Sequence, residues 1–380
     1  MVITQRRRCK IIPIAGGKGG VGKTELCANL GVRLGQLGHD TILIDLDLGG
    51  SNLHSALGVK NRHSGLGNFL SDRRLSFEQL LTDTPYSNLR FVPGDVLVAG
   101  TPNIGFAQKR SIISNIEKLD AEYVLLDLGS GANNNVVDFF LISNSGIIVT
   151  SPHVGAVLNA YSFLKNTVFR FLQRAFAGES EVERFLRKSI KERRPGNPVT
   201  VASVIEGMEK IDKKQAQRAG RFIRLMQPSL VLNLVRSSDD LNIAESLRDL
   251  TRKNLDVDLT ALGFMIHDDH LAGSHRSHAP IVASIPDCLL AFEVDRIAQK
   301  IVQSPEFPTL PLEKEMYSDS YELMHIESTN DLAQLQQNQG PEPGQSQANA
   351  EEFIEILTAQ KKQIRDLQNT VRRLSVRQQY

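Results

Sequence analysis

Nine consecutive residues, Gly16-Gly17-Lys18-Gly19-Gly20-Val21-Gly22-Lys23-Thr24, combine five glycines with two lysines and a hydroxyl. A turn this rich in glycine can aim successive backbone N–H groups to one side, where they cradle phosphate. A lysine at its end can reach β- and γ-phosphates, and the adjacent hydroxyl can ligate Mg²⁺. Gly17 to Thr24 satisfies the P-loop pattern G-x-x-x-x-G-K-[ST] in full, so Gly17, Gly19, Gly20, Val21, Gly22, Lys23 and Thr24, with Glu25 opening the next helix, form the expected phosphate-binding set. A dinucleotide fingerprint fits less well, because it has no use for the Lys-Thr pair. Two carboxylate sites accompany the loop. In Ile42-Leu43-Ile44-Asp45-Leu46-Asp47 the alternation of a strand puts Asp45 and Asp47 on one side, where either can position an attacking water or support a metal. Tyr123-Val124-Leu125-Leu126-Asp127 is an apolar strand ending in a carboxylate, the geometry in which an aspartate holds Mg²⁺ directly or through water. Lys18 needs a separate account: one lysine fills the P-loop position, so a second, five residues earlier, must point elsewhere or reach a neighbouring site.

These groups need a rigid scaffold, and short apolar runs supply one. Ile11 to Ile14, Thr41 to Leu46, Tyr123 to Leu128, Gly146 to Thr150, Leu230 to Val235 and Leu259 to Ile266 alternate with longer helical patterns. Continuous apolar strands are buried on both faces by helices, which predicts a doubly wound α/β domain with a mostly parallel sheet, assigned to residues 1–310. Leu289 to Val302 reads as its last amphipathic helix. Within the domain, residues 170–228 form an expected basic helical insertion, with 14 Lys/Arg against 7 Asp/Glu between Arg170 and Gln227. It reads as a solvated helical pair packed on the domain edge or as a docking patch for an acidic partner or DNA. Residues 311–350 are extended and then low in complexity, a flexible linker. In 351–380, Phe353, Leu357, Ile364, Leu367, Val371 and Leu374 fall on a 3.5-residue repeat, and the last 20 residues carry six Lys/Arg against one Asp. A seam this narrow suits a coiled coil or partner-docking helix better than a membrane-surface helix, although a membrane contact stays open as an alternative.

Composition sets outer bounds. The 380 residues are 41% hydrophobic, enough for a large core, and 44 Lys/Arg against 43 Asp/Glu give no global pull toward polyanions. Cys9, Cys27 and Cys288 are far apart and lack metal-ligand spacing, which suits a reducing compartment and ordinary thiols. The apolar run near the start is only four residues long, too short for a signal peptide or membrane span, so a cytoplasmic protein is expected.

The run Lys18-Gly-Gly-Val-Gly-Lys23-Thr24 resembles the deviant Walker A motif of the MinD/ParA ATPases. The likeness continues through Asp45-Leu-Asp47-Leu-Gly-Gly-Ser-Asn52-Leu-His, similar to the first switch, and Asp127-Leu-Gly-Ser-Gly131, similar to the second. Ser151-Pro152 with Asn159-Ala160-Tyr161 is also similar, and Leu262-Gly263-Phe264 with Ser274 to Pro280 looks like the flagellar-number regulators FlhG/FleN. The resemblance implies a P-loop NTPase fold of the SIMIBI type, with ATP and Mg²⁺ as cofactors and a homodimer in the ATP state. By the same likeness Lys18 crosses to the partner's phosphates and Asp47 positions the attacking water. Thr24 and Asp127 serve Mg²⁺ with Asp45 behind them, and Asn233 reads adenine. Slow hydrolysis would then release a protein partner from a switch that sets the placement or number of a flagellar, chemosensory, division or secretion assembly. Two other functions stay in view: a DNA-partition ATPase using the basic insertion, and a coiled-coil adaptor with structural nucleotide. The 72 residues from Tyr161 to Asn233 exceed the family spacing, which marks the insertion as a specialisation.

Overall fold

The structure is a computed structural model that describes residues 9–60, 64–94, 104–178, 180–191, 200–267 and 279–303. The expected linker and C-terminal helix, and most of the Ser274 to Pro280 loop, lie outside the described residues.

The chain alternates strand and helix. In order, β1 (Lys10–Ala15), α1 (Lys23–Gln36), β2 (Thr41–Leu46), α2 (Leu53–Ala56) and α3 (Leu66–Ser71) come first. They are followed by β3 (Thr82–Asp83), β4 (Leu89–Val92), α4 (Phe106–Ile116), β5 (Tyr123–Leu128), α5 (Asn134–Phe140), β6 (Ile147–Thr150) and α6 (Val154–Ala175). The remainder is α7 (Ser180–Lys191), α8 (Val201–Glu209), α9 (Lys213–Arg224), β7 (Ser229–Val235), α10 (Leu241–Leu255), β8 (Thr260–Ile266), α11 (Ile281–Ser284) and α12 (Leu289–Gln303). The strands form one sheet in the order β3-β4-β2-β5-β1-β6-β7-β8, parallel except for the short β3–β4 edge pair. β1 lies centrally between β5 and β6, so the loop leaving its end opens over the middle of the sheet.

Every residue of β2 and β5 is buried. That is the physical reason these runs are apolar apart from Thr41 and the aspartates, and it makes those aspartates conspicuous. Two cores cover the two faces of the sheet. One collects α4 to α10, with Phe140 edge-on to Phe163 at 5.1 Å. The other collects α1, α11 and α12 through Leu26, Leu30, Val294 and Ile297.

Residues 170–228, expected as a helical pair packed on the domain edge, differ from that in the number of helices. Arg170 belongs to the long α6, and three helices follow it rather than two. Val182, Leu186, Val204, Met208, Ala216 and Ile223 are buried in the same core as α6. The strong amphipathy of α7 and α9 explains this: each carries its charges on one side and leaves a complete apolar stripe to pack. Asp212 caps α9 by accepting from the N–H groups of Lys214 and Gln215.

Candidate functional site

The glycine-rich loop connects β1 to α1 at the carboxyl edge of the sheet. Gly20 and Gly22 adopt left-handed backbone (φ 79° and 89°), and Gly22 is the residue from which α1 starts. Alternation of this kind turns backbone N–H groups inward and makes an anion nest at a helix N-terminus. Gly17 is required for another reason: a Cβ there would sit 2.1 Å from the carbonyl of Asn159 on α6. The loop is thus clamped from outside by α6 and from beneath by Asn233 at the end of β7. Asn233 is 7% exposed; its Nδ2 donates to the Val21 carbonyl at 3.0 Å, and its Oδ1 accepts from Leu234 N at 2.8 Å. Leu234 holds φ at 62°, a conformation costly for a branched side chain and found beside a shift in the β7–β8 register. Asn233 therefore ties down the phosphate loop in this structure. The adenine contact implied by resemblance would be a further duty of the same side chain.

Above the loop lies a cavity of about 480 Å³ lined by Gly19, Gly20, Gly22, Lys23, Thr24, Glu25, Asp47, Asn52, Ser55, Ala56, Ser130 and Ala279. Six of the expected phosphate-site residues and Asp47 come together here. Val21 faces the core instead, with only its backbone engaged, and Lys18 is exposed on the rim, outside the lining. Asn52 and Ser130 fall inside strings already read as switch motifs. Ala279 falls inside the Ser274 to Pro280 string, whereas Ser55 and Ala56 carry no signal in residue type.

The two strand-end aspartates divide their roles. Asp45 is fully buried and spends its carboxylate on the following loop, accepting from Ser51 Oγ at 2.7 Å, Leu53 N at 3.1 Å and Asp47 N at 3.1 Å. It shapes the segment that presents Asp47 and Asn52 and does not face the phosphates itself. Burial raises its pKa, with those hydrogen bonds opposing. Asp127, its cross-strand neighbour, is equally buried, and neither carboxylate oxygen has a partner at hydrogen-bonding geometry. Burial first and the nearby Asp45 second push the Asp127 pKa up to about 8, against the opposing pull of Thr24 and Lys23. A buried, unpartnered carboxylate beside a threonine hydroxyl and a phosphate nest is a strong demand for a cation. The donor set fits Mg²⁺, which Thr24 and Asp127 would hold together with phosphate oxygens. Asp47 approaches from the first switch, its Oδ1 3.1 Å from where a Cβ on Gly129 would stand, so the two switch segments touch at that glycine.

A parallel sheet with a glycine nest between its central strand and a helix, ending in Lys-Thr opposite a strand-end aspartate, defines a P-loop nucleotide-binding protein. The chain belongs to the CobQ/CobB/MinD/ParA nucleotide binding domain family, which residues 12–281 match. The septum site-determining protein MinD of Synechocystis is 32% identical over 154 residues, 40% of this chain and 56% of the relative. MinD of Bacillus subtilis is 29% identical over 150 residues, 39% and 56% respectively. The matched part of the chain thus spans little more than half the length of these curated relatives. Among solved structures, MinD complexed with Mg-ADP from Pyrococcus horikoshii superposes with a TM-score of 0.53 at 20% identity, covering 78% of this chain and 96% of that one. A ParA family ATPase from Chlorobium tepidum gives 0.52 at 16%, covering 77% and 98%. At these identities the superpositions establish the fold. Among the described residues, no helix is long and apolar enough to cross a membrane.

Proposed function

We propose that this protein is an ATP-dependent dimerising switch with slow ATP hydrolysis, and that it governs the placement or number of a cellular assembly. The observation that carries the reading is the split between the two lysines: Lys23 is buried in the phosphate cavity, whereas Lys18 is exposed on its rim and outside its lining. A lysine so placed is available to a second copy across the loop face. A cation supplied in trans neutralises charge developing on the transferred phosphoryl group, a role worth roughly 10³ to 10⁵ in rate for the arginine fingers of other NTPases. Bound Mg²⁺ would neutralise the phosphate oxygens and the buried Asp127. The rest falls to the chain itself: the Gly19–Thr24 backbone orients the phosphates, Lys23 meets the β and γ oxygens, and Asp47 orients the attacking water and accepts its proton. Asp45 fixes the loop that carries Asp47, so nucleotide and the first switch order one another.

Relatives named as septum site-determining proteins support a spatial role, and a flagellar, chemosensory, division or secretion assembly is each consistent with it. The test is the mass of the Asp47→Ala protein, which should trap ATP. A monomer with ADP and a dimer with ATP and Mg²⁺ are expected, together with loss of turnover in Lys18→Ala. Dimerisation without nucleotide, or unaltered turnover in Lys18→Ala, would sink the reading.

A further inference from the structure

The outer face of α9 is strongly basic. Lys213, Lys214, Gln217, Arg221 and Arg224 are exposed there, bounded by the exposed apolar side chains of Ile211 and Leu225. Arg218 is turned aside, its guanidinium 5.0 Å from the Phe222 ring. Arg224 approaches Asp256 only at 4.0 Å, and Lys213, Lys214 and Arg221 have no ion-pair partner among the described residues. Such a face favours a polyanion. The apolar side chain at each end argues against bare duplex DNA and for an acidic peptide that also carries apolar groups.

The chain contains such a peptide. Residues 304–357 hold eleven Asp/Glu and one Lys, and the segment 313–331, EKEMYSDSYELMHIESTND, sets six of those acids among Met316, Tyr317, Tyr321, Leu323, Met324 and Ile326. Its point of departure is close. Glu293 accepts from Ile266 N at the end of β8, while Ile297 meets Gly263, so α12 runs against β8 and brings Gln303 to the strand's beginning. Leu225 lies at that same edge, where its carbonyl accepts from Asn144 and Gln227 N donates to Asn144 O just before β6. α9 and α12 pack on opposite faces of the sheet, so the path between them rounds its edge, about 20–25 Å for layers ~10 Å apart. The ten residues from Gln303 to Glu313 can extend to about 33 Å.

We propose that residues 313–331 dock on the basic face of α9 within the same molecule, with Ile211 and Leu225 taking the apolar side chains at either end. The tail then covers the surface on which a phosphate backbone or a foreign acidic helix would otherwise settle, and a partner that displaces it gains both surfaces. This holds whatever the nucleotide does, so it stands apart from the switch reading.

The experiment is carbodiimide coupling of the full-length protein at low salt, which joins amines to carboxylates in direct contact, followed by peptide mass spectrometry. Lys213 or Lys214 linked to acids of 313–331 is expected in the monomer-mass species, with at least a fivefold drop in 0.5 M salt. Arg221→Glu/Arg224→Glu keeps both amines and should lower the yield by the same factor, and adding Glu322→Arg should restore it. Arg221 and Arg224 are exposed, and circular dichroism checks that the variants fold. Absence of these links, links only between copies, or yields indifferent to Arg221→Glu/Arg224→Glu would overturn the proposal. So would a short DNA duplex shielding the two lysines in a protein that shows no tail link.

Discussion

Asp138 on α5 is an acid whose loss should be felt throughout the molecule. Its side chain is 4% exposed and receives the Lys109 ammonium on Oδ2, with Arg170 Nε on Oδ1 at 2.8 Å and Arg170 Nη2 on Oδ2 at 3.0 Å. Asp138→Asn keeps the shape and removes the charge, leaving Lys109, only 10% exposed, without a counter-ion in the core. Removing one member of a buried pair costs about 3–5 kcal/mol. Arg170 is 31% exposed and can turn to water, which puts the expected loss at the lower end, about 3 kcal/mol. Urea unfolding followed by circular dichroism should show the midpoint falling with an unchanged slope. The double variant Lys109→Met/Asp138→Asn should recover part of the loss. The pH dependence gives an independent check. Burial alone would raise the Asp138 pKa, but hydrogen bonds from Arg170 and Lys109 hold it below the usual carboxylate value. The folded protein thus keeps the acid ionised at pH values where the unfolded chain protonates it. The contribution is whole above about pH 4 and disappears as pH falls through the lower folded value, so the gap between wild type and Asp138→Asn must narrow there. A loss under about 1 kcal/mol, or a gap that does not respond to pH, refutes the argument.

Gly17→Ala drives a methyl into the backbone of Asn159, which cannot move aside cheaply, so affinity for a fluorescent ATP analogue should drop at least about tenfold with the fold intact. Asn233→Ala removes the tether on Val21; binding of adenine and guanine nucleotides should weaken together by about 1–3 kcal/mol, whereas loss of adenine preference alone would return Asn233 to base recognition. Without Mg²⁺ and nucleotide, Asp127 is protonated in the fold up to about pH 8 and ionised in the unfolded chain above about 4. Stability must therefore fall as pH rises across that window, and Asp127→Asn should melt higher than wild type at pH 8; parallel melting curves would contradict this. Leu186→Ala opens a hole in a core shared with the sheet, so one cooperative transition lowered by about 2–5 kcal/mol is expected, and a separate early transition would show the insertion to be its own unit.

The central strands and the phosphate loop are legible in the sequence because both follow from local chemistry. Thr41 aside, β2 and β5 are apolar up to their aspartates, and only a glycine-rich turn closes a nest. The edge strands β3 and β4 escape notice because they span two and four residues, and β3 is only partly buried. The separate duties of Asp45 and Asp127 cannot be read from spacing either. Both end apolar strands, and only the loop carrying Ser51 and Leu53 shows which carboxylate is already occupied. Asn233 illustrates the same limit at longer range: its partner lies 212 residues away, and no periodicity points to it.

The sheet separates two cores, and among the described residues α7, α8 and α9 pack on one side of it, while the helix that opens from the phosphate loop sits on the other. An extra helix there can be lengthened, recharged or exchanged without repacking a side chain beneath α1. Such an arrangement lets a lineage vary what the protein attaches to while the machinery that reads nucleotide stays untouched, so descendants of this chain are expected to diverge fastest in α7 to α9.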